Sequence, residues 1–101
     1  MRLSDITHIT SGLDGVTERR EKNLLCWRYH GRLVTRQLDP THVVIRSSFD
    51  ARRRALKAHP TTFTVPRRFA KHMMIVADLQ RGDDDAIEHA IFAAWSLQAL
   101  G

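Results

Sequence analysis

Hydrophobic and polar positions change rhythm several times along the chain, and each change marks an element. The stretch Asn23–Leu38, NLLCWRYHGRLVTRQL, holds two strand-like runs that meet at His30-Gly31. Leu24, Leu25, Cys26, Trp27 and Tyr29 have the bulk that suits a half-buried pleated surface. Gly31 supplies the positive φ that a tight hairpin turn demands. Beyond the turn, Val34, Arg36 and Leu38 alternate with Leu33, Thr35 and Gln37, which predicts one drier face and one wetter face. Asp39-Pro40-Thr41 stops this strand, because proline fixes φ and donates no ladder hydrogen bond. His42–Ser47 then reads as a third strand, with Val43 and Ile45 on one side and Val44 on the other.

Helical spacing flanks these strands. Ser4 or Asp5 is the expected cap of a short first helix that contains Ile6 and Ile9 and ends at Ser11-Gly12. Residues Leu13–Glu18 read as a loop, and Arg19–Lys22 as a solvated lead-in to the hairpin. Ser48 caps a helix from about Phe49 to Ala58, with Phe49, Ala55 and Leu56 as its buried stripe. Arg53, Arg54 and Lys57 share its wet side. His59-Pro60 ends it. Thr61–Val65 is a short extended piece, Pro66–Lys71 a basic connection, and His72–Leu79 the strongest late strand. Asp83 caps the last helix, in which Asp84 and Asp85 face the positive end of the dipole and Ile87, Ile91, Ala94 and Trp95 keep helical spacing. Trp27, Ile45, Ile75, Ile91 and Trp95 are expected in one core. The order predicts an α+β domain: a mostly antiparallel sheet with helices packed on one face.

At 101 residues the chain is long enough for one core, residues 1–101 forming a single domain. No apolar run reaches the length that spans a bilayer, so no membrane role is expected. MRLSDITHIT carries one arginine and no apolar core of a signal peptide. One cysteine excludes an intramolecular disulfide, and a reduced, cytoplasmic setting is the simplest expectation.

Charge changes the picture more. Sixteen Lys and Arg face eleven Asp and Glu, for a net charge of +5, and only Lys22, Lys57 and Lys71 are lysines. Arginine grips phosphate or carboxylate with a bidentate fork that lysine lacks, so polyanions are the expected partners. Arg52, Arg53, Arg54 and Lys57 lie on the second helix, and Arg67, Arg68 and Lys71 in the next connection. Seven cations within twenty residues exceed what solubility alone requires. Arg53, Arg54, Lys57, Arg67, Arg68 and Lys71 are therefore the candidate nucleic-acid contacts, made to the phosphate backbone. No recognition helix or RNA-binding platform is visible, so base reading is not expected. An acidic protein or a small anion is the alternative partner.

Catalytic chemistry finds little foothold. Cys26 lies mid-strand among apolar neighbours, as a buried inert thiol does. Six histidines show neither an i,i+4 pair nor ligand-like spacing, and Asp83-Asp84-Asp85 is explained by capping, so no metal or other cofactor is expected. There is no phosphate-cradling glycine loop, no serine elbow and no convincing pair of carboxylates. A non-enzymatic binding role follows.

The order of motifs resembles the MmcQ/YjbR-like family of small DNA-binding proteins. Leu13-Asp14-Gly15-Val16-Thr17-Glu18 is similar to the family's LPGVTE opening. Trp27 with the Gly31-Arg32 turn, His59-Pro60 followed by Phe63, Ala70-Lys71-His72 before Met73–Leu79, and Asp83–Asp85 ahead of Ala94-Trp95 follow in family order. The likeness covers nearly the whole chain. It implies a two-layer α+β domain of the frataxin-like type and a DNA-binding role. Asp14 stands where the family has proline, and Val34-Thr35 where an aromatic is common. Frataxin holds iron on an acidic helix ridge. Here Asp83, Asp84, Asp85 and Glu88 have few acidic companions near the first helix, so iron binding is not implied.

Overall fold

The computed structural model describes all 101 residues, Met1–Gly101. Its elements are α1 (Leu3–Ser11), β1 (Val16–Glu21), β2 (Leu24–Tyr29), β3 (Arg32–Asp39), β4 (His42–Arg46), α2 (Phe49–Ala58), β5 (Phe63–Thr64), β6 (Met74–Asp78) and α3 (Asp84–Leu100). A 3-10 turn at Arg67–Phe69 links β5 to β6. All six strands form one antiparallel sheet in the order β1-β2-β3-β4-β6-β5. The fold is α+β in two layers, with the helices on one face of the sheet.

Strand alternation builds the core between those layers. Val43 and Ile45 on β4, and Ile75 and Ala77 on β6, point toward the helices. They join Trp27 and Val34 from the hairpin with Ile6 of α1 and Ile87, Ile91 and Ala94 of α3. Val44 and Val76, one position out of phase, point the other way into a small second cluster closed by Phe69 of the 3-10 turn. Trp27, Ile45, Ile75 and Ile91 thus share the expected core, while Trp95 packs half-buried at its margin.

Local chemistry sets the element ends. The β2–β3 turn has His30 at φ 46° and Gly31 at φ 81°, the left-handed pair that matches strand twist. Lys22 and Asn23, at φ 52° and 65°, make a second turn of the same kind between β1 and β2. The Ala51 N–H donates to Ser48 Oγ at 3.1 Å, and the Ala86 N–H to Asp83 Oδ1 at 2.9 Å, so α2 and α3 start at the caps read from sequence.

Four expectations are corrected. The segment expected to be a loop and charged lead-in is largely strand β1, residues 16–21, whose side chains are nearly all exposed and so carry no buried alternation. Its charges suit an edge strand, where they discourage pairing with another chain. In β3 a bulge opposes Trp27-Arg28 with Leu33-Val34-Thr35. The extra residue leaves Val34 and Thr35 both fully buried and moves Arg36 and Leu38 to the face opposite Val34. Phe49 is 43% exposed and forms no buried stripe; its ring instead meets Arg52, 4.9 Å from the centroid. The cap of α1 is Arg2, with Asp5 in the first turn accepting its backbone N–H at 2.7 Å.

Candidate nucleic-acid interface

Arg52 joins the two basic segments singled out from sequence. Its guanidinium donates to the carbonyl oxygens of His72 at 2.8 Å, Ala70 at 2.9 Å, Phe69 at 3.2 Å and Met74 at 3.3 Å. Arginine's planar fork can reach several acceptors at once, which lysine's point charge cannot. The latch holds α2 beside the 3-10 turn that carries Arg67 and Arg68. Arg53, Arg54, Lys57, Arg67, Arg68 and Lys71 are all exposed.

They do not form one face. Arg53 and Lys57, four residues apart, share one exposed face of α2, and Arg53 forms an ion pair with Asp50 at 3.1 Å. Arg54 turns instead toward a cleft between α2 and α3. Arg67 and Lys71 flank the turn at the surface. Arg68 lies over the ring of Phe69, 4.8 Å from its centroid.

Phe69 leads to a basic surface that sequence reasoning did not single out. Arg36 of β3 approaches the same ring from the sheet, 5.9 Å from its centroid. Register places Arg19, Cys26, Arg36 and Val44 side by side across β1 to β4 on the face that no helix covers. Arg28 is two residues from Cys26 on that face, and Arg46 shares it through its pairing with Met74. Four arginines therefore zigzag over four strands. Neighbouring strands lie about 4.8 Å apart, so Arg19 and Arg36 are separated by roughly 10 Å. The signal was present: Trp27 inward makes Cys26 and Arg28 outward. Spacing alone does not show the rest, because β1 is exposed at nearly every position, so Arg19 reads as part of a solvated lead-in, and the bulge shifts Arg36 to this face.

Acidic groups sit at two margins of this face, Glu21 on β1 and Asp39 with Asp78 around His42. Arg28 binds Glu21 with Nε at 3.1 Å and Nη2 at 3.3 Å. That guanidinium, and next the Cys26 thiol, hold the Glu21 carboxyl below its usual range. Arg19 and Arg36 have no carboxylate partner within ion-pair distance, and Arg46 Nε is buried without an acceptor. Cys26 is 3% exposed; burial, followed by the Glu21 carboxylate, pushes its thiol up, the opposite of what a nucleophile needs.

Elsewhere, no three His, Cys, Asp or Glu side chains converge as a metal-binding group. No helix is long and apolar enough to cross a membrane. Searches against protein-family models, curated proteins and solved structures find no match for this chain.

Proposed function

We propose that the chain is a non-enzymatic nucleic-acid-binding domain that grips the phosphate backbone, DNA in the first instance, with arginines of its helix-free sheet face. The observation that carries this reading is the zigzag of Arg19, Arg28, Arg36 and Arg46, continued across Phe69 by Arg68. A flat array of guanidinium groups with few acidic neighbours suits a polyanion whose charges repeat along a line. Arg67 and Lys71, beside Phe69 on the 3-10 turn, add cations next to this face, whereas Arg53, Arg54 and Lys57 belong to α2 in the helix layer. Membership of the MmcQ/YjbR-like family, and action in the cytoplasm, belong to the same proposal.

Contacts here are made to charge rather than to base edges. Phe69 is mostly buried under two arginines and presents no open ring on which a base would stack. Sequence preference is accordingly weak. The test is binding to duplex DNA, single-stranded DNA and heparin over a salt series. Three to five phosphate contacts give a log–log slope of about −3 to −4.5 on duplex DNA. Binding that is equally weak for all three polyanions would mean bare electrostatics and no site. Binding to none would leave the acidic protein partner as the reading.

A further inference from the structure

The cleft between α2 and α3 lies in the helix layer, on the opposite side of the sheet from the arginine zigzag. It has a volume of about 510 Å³, with Phe63 and Ile75 among its lining residues. Both of these are buried core residues, so the floor is dry. Its walls are alanines, three from each helix, Ala55 and Ala90 among them. Side chains this small cannot fill the space between two helices, and α2 accordingly has no fully buried residue. The space is preformed and mostly apolar at its floor and walls, with polar groups around it, as small-molecule sites generally are.

Its mouth is charged in a particular way. Arg54 stands on α2, and Asp85 on the first turn of α3. Neither makes an ion pair or a hydrogen bond, with each other or with any other side chain. The neighbouring acids are already engaged: Asp83 caps α3, and Asp84 pairs with the chain's amino terminus at 3.2 Å. Arg54 and the unpaired Asp85 therefore border one cleft, which His59, His89 and the capping Asp83 also line. A ligand of single charge would satisfy one and face repulsion from the other.

We propose that this cleft binds a free α-amino acid with an apolar side chain. The carboxylate meets Arg54, the ammonium meets Asp85, and the side chain enters the alanine-walled space over Ile75 and Phe63. Charge-assisted hydrogen bonds at both ends fix orientation, and burial of the side chain sets the preference for apolar over polar amino acids. The proposal is independent of nucleic-acid binding, which uses the other face.

Calorimetry and thermal shift on the full chain test it, with L-leucine and L-phenylalanine as probes. Glycine removes the side chain, 3-methylbutylamine removes the carboxylate, and 4-methylpentanoate removes the ammonium. Saturable binding of leucine or phenylalanine is expected, with each truncated probe weaker by about tenfold or more. Arg54→Gln and Asp85→Asn, both at exposed positions, should each lose a similar factor. Arg54→Gln should keep the melting temperature of the free protein, and Asp85→Asn, which removes charge from the first turn of α3, should lower it only slightly. Ala90→Leu should block the cleft. No saturable binding up to millimolar concentration overturns the proposal. So does binding that is indifferent to Arg54→Gln and Asp85→Asn, or that is as strong for the amine or the acid alone.

Discussion

The indole Nε1 of Trp27 donates to Oε1 of Glu18 at 2.7 Å, and the same oxygen accepts from Thr7 Oγ1 at 2.5 Å. Trp27 has no solvent exposure, whereas Glu18 is at the surface on the edge strand. One carboxylate thus ties the core tryptophan, the sheet edge and α1 together. Removing it strands a buried donor.

Glu18→Ala should therefore destabilise by about 1–3 kcal/mol, the cost of an unsatisfied buried polar group. Glu18→Gln keeps an acceptor and should cost less. Urea titration of both variants gives the comparison. An alanine variant as stable as the parent would mean that the indole finds another acceptor.

Trp27 and Trp95 should differ. Trp27→Ala empties a fully buried site and should cost about 3–5 kcal/mol. The ring of Trp95 is half-buried, meets Phe92 edge-on at 5.3 Å and donates Nε1 to the Asp14 carbonyl at 2.8 Å. Trp95→Ala should cost clearly less. Thermal melts in parallel decide this, and the reverse order would put the centre of the core under α3 rather than at β2.

How much of this was legible in the sequence depended on burial. β4, α2, α3 and the His30-Gly31 turn were read closely because apolar spacing, a serine or aspartate cap and a glycine marked each one. β1 was missed because Val16–Glu21 is exposed at nearly every position, and a strand held by backbone pairing alone has no hydrophobic period. The β3 bulge was missed because the extra residue is visible only against its partner strand. Both omissions concealed the same thing. Arg19 and Arg36 share a face only once β1 exists and Val34 is out of register, so the basic residues that sequence favoured were the contiguous ones on α2 and the 3-10 turn. Arg52, counted there as one cation among seven, is spent on four carbonyls.

That latch gives a further prediction. Arg52→Ala should leave the carbonyls of Phe69, Ala70, His72 and Met74 without their shared donor, and hydrogen exchange should accelerate in residues 67–74 before the rest of the sheet. Arg52→Lys should restore little, since an ammonium lacks the fork. Unchanged protection in the alanine variant would show that the Phe69 ring alone holds the segment.

At one end of the helix-free face, His42 Nδ1 lies 3.0 Å from Asp39 Oδ1 and its Nε2 3.7 Å from Asp78 Oδ2. Burial pushes the Asp39 carboxyl up, but hydrogen bonds from the Thr41 N–H and His42 outweigh it and the net shift is downward. Asp78 is lowered mainly by the Arg81 N–H, against burial, with help from the Gln80 N–H and His42. A depressed folded pKa means stability that is present above the unfolded value, about 3.9, and lost as pH falls through the folded value. The urea midpoint should drop below about pH 4, and His42→Ala should make that acid limb shallower. An identical acid limb in the variant would remove His42 from the cause.

Two double variants test the interface itself. Arg19→Gln with Arg36→Gln removes two charges from the helix-free face of β1 and β3. Arg20→Gln with Arg32→Gln removes two charges from the same strands on the helix side, where Arg20 pairs in register with Leu25 and Arg32 with Tyr29. The measurement is the salt dependence of duplex DNA binding by each. The first variant should bind more weakly and flatten the log–log slope by about 1.8, two counterions' worth, while the second keeps the parental slope. Equal losses in the two variants, or no loss in the first, would contradict a phosphate-gripping sheet face.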